Sequence, residues 1–137
     1  PLQTHTYEVL LKSENIKGLN IGVTVDPVRI NTITSIYPSP QQLGNQVVGI
    51  ERNKEGVRSA DLLASSIAAQ GASSAGDLYP SYDVEYVVDS TRGQNHYLTK
   101  TTIIDKQLYV MTAQTKEVNW KELKTTLVEV LDSLTLK

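Results

Sequence analysis

Residues 82–114 read YDVEYVVDSTRGQNHYLTKTTIIDKQLYVMTAQ, and the fold turns on this stretch. Val84, Tyr86 and Val88 alternate with Asp83, Glu85 and Val87, the two-residue period of a strand with one buried face. Ser90-Thr91-Arg92-Gly93-Gln94-Asn95 is a cluster of turn formers. A second strand runs through Leu98 to Ile104, Asp105-Lys106 turns the chain again, and Leu108 to Ala113 returns. The reading is three consecutive antiparallel strands. The second turn lacks glycine, and because lysine tolerates positive φ poorly, a turn other than the glycine-bearing hairpin type is expected at Lys106.

Downstream, Trp120, Leu123, Leu127, Val130, Leu131 and Leu134 step by three and four, with Lys121, Glu122, Lys124 and Glu129 between them. This is an amphipathic helix, and burying each leucine of its stripe against the sheet stabilises by roughly 1.5–3 kcal/mol. Upstream, Tyr7, Val9 and Leu11 make a short alternating run, and Leu19, Ile21, Val23 and Val25 a clean one that Pro27 ends. Ser39-Pro40-Gln41-Gln42 combines an N-cap serine, a proline at the first helical position and a glutamine able to close a capping box. Leu43, Val47 and Ile50 then define the predicted buried stripe, Gly44 and Gly49 imply that this helix lies close on a sheet, and Gly56 marks its stop. Residues 59–70 are ambiguous, with helical propensity in Ala60, Leu63, Ile67 and the neighbouring alanines. Gly71 to Gly76 reads as a small-residue surface connector without the lysine of a phosphate-binding loop. The plan is α+β: a meander of antiparallel strands covered by helices.

With 137 residues the chain suits one domain, and 39% hydrophobic and 20% charged residues are ordinary for a globular protein. A net charge of −2 argues against nucleic acid as a partner, and the absence of cysteine removes disulfides, thiol catalysis and Cys-based metal sites. No apolar run approaches the roughly 20 residues of a membrane span. Pro1 to Thr6 carry no signal-peptide pattern, and an opening at Pro1 is expected of a mature or trimmed chain.

Several fragments, in order, resemble the PsbP family. They are Asn20 to Val25 with Pro27 following; Tyr37-Pro38-Ser39-Pro40-Gln41-Gln42, similar to that family's helix start; and Tyr82-Asp83-Val84-Glu85-Tyr86, similar to its tyrosine-bearing central strand. His96 ahead of the next strand, Asp105-Lys106-Gln107-Leu108-Tyr109, and Trp120 with Ser133-Leu134 complete the set. The resemblance runs from residue 7 to the C-terminus and implies an αβα sandwich around a central antiparallel sheet, the PsbP/Mog-type architecture, as a single domain over 1–137. Three features depart from the family's pattern. Its aromatic opening strand is not visible, Lys106 replaces the hairpin glycine, and the loop from Gly71 to Tyr79 is longer. The resemblance thus implies a single domain lacking its N-terminal strand. Asp26 to Ile30 and Asp89 to Gly93 look more like the branches that serve the chloroplast NADH dehydrogenase-like complex or photosystem I assembly.

What the resemblance implies is an extrinsic, non-catalytic protein of the chloroplast or cyanobacterial thylakoid lumen. It would be peripheral to the membrane and dock on photosystem II, with its oxygen-evolving complex, or on a related complex as subunit or assembly factor. Lys12, Lys17, Arg29, Arg52, Lys54, Arg58 and Arg92 are then the candidate salt-sensitive contacts. In the family a histidine at the place of His96 lies near a carboxylate ahead of the helix tryptophan, here Glu117. Such a pair is expected to be a structural ion pair, with a pH-sensitive contact or a weak zinc or manganese site as alternatives. No EF-hand spacing occurs among Glu51, Glu55, Asp61, Asp83, Glu85 and Asp89, so calcium enters only by association with the family's partner. His5 reads as a solvated residue near the terminus, and Trp120 as core.

Two functions from other classes compete. A small hydrolase or lyase would need polar groups converging on a concave pocket, yet Ser65, Ser66, Ser73 and Ser74 lack a nucleophile elbow. A Mog-type nuclear-transport binder would share the architecture.

Overall fold

The computed structural model describes residues 7–12, 14–72 and 78–133, and its centre is the stretch read above. Leu78–Ser90 forms strand β4, Gly93–Ile104 strand β5 and Gln107–Lys116 strand β6. β5 pairs antiparallel with both neighbours without a slip in register. At the β4–β5 turn the Ser90 hydroxyl accepts the Arg92 N–H at 3.1 Å and donates to the Gly93 carbonyl at 3.3 Å. At the β5–β6 turn Asp105 and Lys106 have φ of +50° and +61°. Both being positive, this is the type I′ pattern whose twist suits a two-residue hairpin. The expectation of a different turn at Lys106 is therefore corrected. The lysine accepts the left-handed conformation because the twist of the long flanking strands demands it, and its carbonyl is tied to the Val28 N–H at 2.9 Å.

Outward from this meander, β2 (Asn20–Pro27) pairs with β6, and β1 (Tyr7–Lys12) pairs with β2. On the other side β3 (Val57–Ala72) pairs with β4, giving a 6-stranded antiparallel sheet in the order β1-β2-β6-β5-β4-β3. β3 resolves the ambiguous segment 59–70, and against its helical propensity. Its backbone pairs along the length of β4, whose open backbone groups supply hydrogen bonds that local propensity cannot anticipate. Bulges between Leu62 and Ala64 and between Gln70 and Ala72 shift its register. Gly71 and Ala72 of the expected connector belong to this strand, while residues 73–77 lie outside the described residues, as does His5.

Strand alternation divides the core between two faces. Tyr82, Val84, Tyr86 and Val88 of β4 point to one face, where Ile33, Leu43, Val48, Ala60 and Ile103 join them under helix α1 (Pro40–Arg52). Met111 and Ala113 point to the opposite face, covered by Trp120, Leu127 and Leu131 of helix α2 (Glu117–Ser133). The result is the αβα sandwich. Trp120 is core, as its place on the amphipathic stripe implies; Leu134 lies outside the described residues.

α1 starts as read: Ser39 is the N-cap, its hydroxyl accepting the Gln42 N–H at 3.3 Å, with Pro40 in the first turn. Of the expected stripe, Leu43 is buried and Val47 packs half-buried against the core, whereas Ile50 is 54% exposed; Gly44 and Val48 complete the buried face. Packing on β3 and β4 selects the face that brings Gly44 onto the sheet. A Cβ there would stand 2.7 Å from Leu62 Cδ1 and 3.3 Å from Val84 Cγ1, while one at Gly49 meets nothing within 4 Å. Only Gly44 serves close approach. The Tyr82 hydroxyl, donating to the Tyr37 carbonyl at 2.6 Å, ties the segment before α1 to the sheet.

The two glycines of α1 should therefore respond oppositely. Gly49→Ala is expected to stabilise by about 1 kcal/mol through helix propensity alone. Gly44→Val is expected to destabilise by about 2 kcal/mol through overpacking against Leu62 and Val84. Urea denaturation midpoints of the two variants check both signs.

Candidate functional site

The face under α2 is not purely apolar. Even-numbered β5 residues point towards α2, and these include His96 and Lys100, both buried. The hairpin register sets Asp83 of β4 directly opposite Lys100, and sets Val87 opposite His96, so Glu85 lies diagonally within reach of the imidazole. Each of these basic side chains is met by a β4 acid on one side and an α2 acid on the other.

At His96, Nδ1 lies 2.6 Å from Glu117 Oε2 and Nε2 lies 2.7 Å from Glu85 Oε2. Two ionised carboxylates only accept, so both bonds are made together when each ring nitrogen carries a proton. The ring also stacks on the Trp120 indole, with centroids 3.7 Å apart and planes 9° from parallel. A charged imidazole in that position gains from the indole quadrupole. At Lys100, Nζ donates to Asp83 Oδ1 and Oδ2 at 2.9 and 3.2 Å and lies 3.5 Å from Asp132 Oδ1. A lysine side chain only 3% exposed is tolerable because it is paired in this way. Glu117 opens α2 and Asp132 lies in its last turn, so the helix is pinned at both ends to one strand.

His96 and Glu117 thus meet as the sequence suggests. Their 2.6 Å separation is that of a hydrogen bond, and a metal bonded to both at about 2 Å each would need them farther apart. Among the described residues no group of three or more histidine and acidic side chains is placed to hold a metal ion. Glu85 and the Lys100–Asp83–Asp132 cluster were not singled out from the sequence. A two-residue turn at Thr91-Arg92 would have set Asp83 opposite Lys100, but nothing in a linear pattern brings Asp132 to them.

α2 leans over β5 and β6, leaving the β3–β4 side of its face open. The small side chains there leave a cleft of about 180 Å³, with Ala64, Ser66, Asp83, Glu85, Lys100 and Asp132 among its walls. Its lysine is bound to Asp83 and Asp132, and Glu85 is bound to His96. Among the described residues no histidine lines it, so Ser65 and Ser66 have no imidazole base from them there.

The candidate contact cations separate by sheet end. Lys12 ends β1, Lys17 lies in the β1–β2 loop, and Arg92 lies in the β4–β5 turn. Arg52 and Lys54 close α1, and Arg58 opens β3 beside Ser90. All six map to one end of the sheet, with Lys116 and the start of α2; Arg29 is at the other end. Three are engaged within the chain: Arg52 Nε donates to the Ala60 carbonyl at 2.9 Å, Lys54 pairs with Glu51 at 2.9 Å, and Arg58 donates to the Ser90 carbonyl at 2.7 Å. Lys12, Lys17 and Arg92 are exposed. Val118, 84% exposed, and Leu11, 63% exposed, add apolar surface to that end.

On the α1 face, Tyr86 and Tyr97 stack with ring centroids 4.7 Å apart. Burial first, and then the negative charge of Glu51, push both phenols above the ordinary tyrosine range; at Tyr97, Arg92 partly opposes this.

A family model described as PsbP matches residues 3–136. The fold is similar to the solution structure of cyanobacterial PsbP (CyanoP) from Synechocystis sp. PCC 6803, at 17% identity and a TM-score of 0.69, covering 92% of this chain and 79% of that one. It is also similar to the crystal structure of a Pseudomonas aeruginosa protein of unknown function, at 10% identity and a TM-score of 0.67, covering 99% of this chain and 86% of that one. No curated protein matches the chain significantly.

Two outcomes follow from the charge placement. His96→Leu leaves Glu85 and Glu117 without their shared partner, and is expected to cost on the order of 3 kcal/mol. Adding Glu85→Gln should recover part of that loss in a double-mutant cycle by urea denaturation. The tyrosine pair gives a pH dependence of known sign. Tyr86 and Tyr97 keep their protons in the folded chain beyond the pH at which unfolded tyrosines, ordinary value about 10, release theirs. Their contribution is complete below about pH 10 and is lost as pH climbs through the raised folded values. Denaturation midpoints should fall above that pH, and less steeply in Tyr86→Phe.

Proposed function

Because the chain belongs to the PsbP family, we propose that it is an extrinsic, non-catalytic protein of the thylakoid lumen, in a chloroplast or cyanobacterium, that docks on photosystem II as a subunit or assembly factor. The observation that carries this reading is the basic end of the sheet. Lys12, Lys17 and Arg92 are exposed at this end, which also carries the exposed side chains of Leu11 and Val118. Apolar surface bordered by charge is the usual composition of a protein interface. Among the described residues no helix is long and apolar enough to cross a membrane, which is compatible with attachment through a protein partner.

The ion pairs inside the α2 face support a non-catalytic role. General acid–base catalysis requires a group free to exchange a proton with a substrate. In the cleft, Asp83, Lys100 and Asp132 are committed to each other, and Glu85 to His96. Any calcium or manganese would then belong to the partner complex rather than to these side chains.

A combined Lys12→Glu, Lys17→Glu and Arg92→Glu variant should rebind salt-washed thylakoids about tenfold more weakly, each exposed charge contributing about 0–1 kcal/mol. Arg29→Glu, at the opposite end, should rebind normally. High salt or a mildly alkaline wash, kept below the range where the tyrosines weaken the fold, should release the native protein. Retention under both washes, or equal loss in the Arg29 variant, would discard the docking end. Recovery of the NADH dehydrogenase-like complex or photosystem I assembly intermediates in a pull-down would transfer the role to that partner.

A further inference from the structure

The exposed basic residues of the docking end are not equivalent. Lys12 ends β1 and Lys17 lies in the β1–β2 loop. Arg92 sits on a turn that is tied down from several sides. The Ser90 hydroxyl holds both the Arg92 N–H and the Gly93 carbonyl. The Thr91 N–H donates to the Gly56 carbonyl at 2.9 Å, and Arg58 Nη2 donates to the Ser90 carbonyl at 2.7 Å. The β4–β5 turn and the turn between α1 and β3 are thereby joined into one unit. They meet closely: at Gly56, whose φ is +84°, a Cβ would stand 2.9 Å from the Thr91 hydroxyl oxygen.

The same glycine locates the guanidinium. A Cβ at Gly56 would stand 3.9 Å from Arg92 Nη1, so the side chain folds back over the α1–β3 turn. Its charge there reaches the Tyr97 phenol, where it opposes the effect of burial and of Glu51. Arg52 and Arg58 already donate to the Ala60 and Ser90 carbonyls. Among the described residues the Arg92 guanidinium makes no ion pair and no hydrogen bond. A guanidinium is a planar fork that fits a carboxylate through two parallel bonds, whereas a lysine ammonium is a point charge on a flexible stem. A fork already held in place loses little freedom on binding. Resting on the docking end described above, we propose that Arg92 is the anchor of that end and takes an aspartate or glutamate carboxylate of the partner protein. Lys12 and Lys17 then supply attraction without a fixed geometry.

Rebinding of the full chain to salt-washed thylakoids, followed against protein concentration, tests this. Arg92→Lys keeps the charge and removes the fork, and should weaken rebinding about fivefold, the worth of one hydrogen bond. Lys12→Arg and Lys17→Arg should rebind within about twofold of the native chain. The salt dependence of all three should match the native chain, since no charge changes. Far-UV circular dichroism verifies that each variant is folded. Amidation of the thylakoid carboxylates with a water-soluble carbodiimide and glycine methyl ester should close the gap between the native chain and Arg92→Lys. An Arg92→Lys chain that rebinds normally, while the triple glutamate variant does not, overturns the anchor and leaves the docking end standing. A native chain that does not rebind at all overturns both. A gap that survives amidation, or Arg92-dependent binding to phosphatidylglycerol vesicles, would assign the fork to a lipid phosphate and overturn the carboxylate.

Discussion

The structure depends on two basic side chains held inside a sheet. β5 is the strand on which the sandwich is built, paired on both sides and covered on both faces, yet it carries His96 and Lys100 towards α2. A buried ammonium or imidazolium is tolerable only where carboxylates replace its water. β4 supplies one carboxylate to each of these side chains and α2 supplies the other. Such pairs contribute little net stability over well-packed apolar side chains, since desolvation offsets most of the attraction. Their consequence here is positional. A helix held only by Trp120, Leu127 and Leu131 could slide along the sheet, whereas one whose first residue and last turn answer fixed basic groups has one place to lie.

That placement propagates outward. With α2 set over β5 and β6, the β3–β4 lane on the same face stays open, and small residues such as Ala64 and Ser66 form the floor of the cleft. On the other face α1 takes the β3–β4 side, which is why Gly44 has to meet Leu62 and Val84 with no side chain of its own. The two helices therefore cover different halves of the sheet. β3 is packed by a helix on one face only, and its outer edge is paired with no described element. The hairpin pattern also collects the β4–β5 turn, the start of β3, the β1–β2 loop and the start of α2 at one end. Charges far apart in sequence thus share one end of the sheet.

Much of this is legible in the sequence. The meander 82–114, the N-cap at Ser39 and the stripe of α2 follow from period and capping chemistry, which are local properties. Residues 59–70 were not legible because their alanines favour a helix in isolation. The strand arises from a partner edge provided elsewhere in the chain. Lys106 misled for the same kind of reason: its intrinsic aversion to positive φ is weaker than the twist imposed by the strands on either side. Leu43 and Val47 of the α1 stripe do face the core, but the place of Gly44 on that face could not be read, because glycine contributes nothing to a hydrophobic stripe. At the site, His96 beside Glu117 came from the family resemblance, while Asp83 opposite Lys100 needed only a commitment to the turn at Thr91-Arg92. Asp132 needed the helix in place.

The same internal commitment bears on where activity can reside. A carboxylate that must neutralise a buried cation cannot leave it to serve a ligand without exposing that cation to the full cost of desolvation. The ionisable groups on the α2 face are therefore conservative by construction, and any ligand entering the cleft would have to compete with bonds that hold the helix. Surface groups carry no such obligation. Lys12, Lys17 and Arg92 can exchange water for a partner at small cost. A scaffold that spends its charges on fixing its own architecture leaves its ends and edges as the places free to vary.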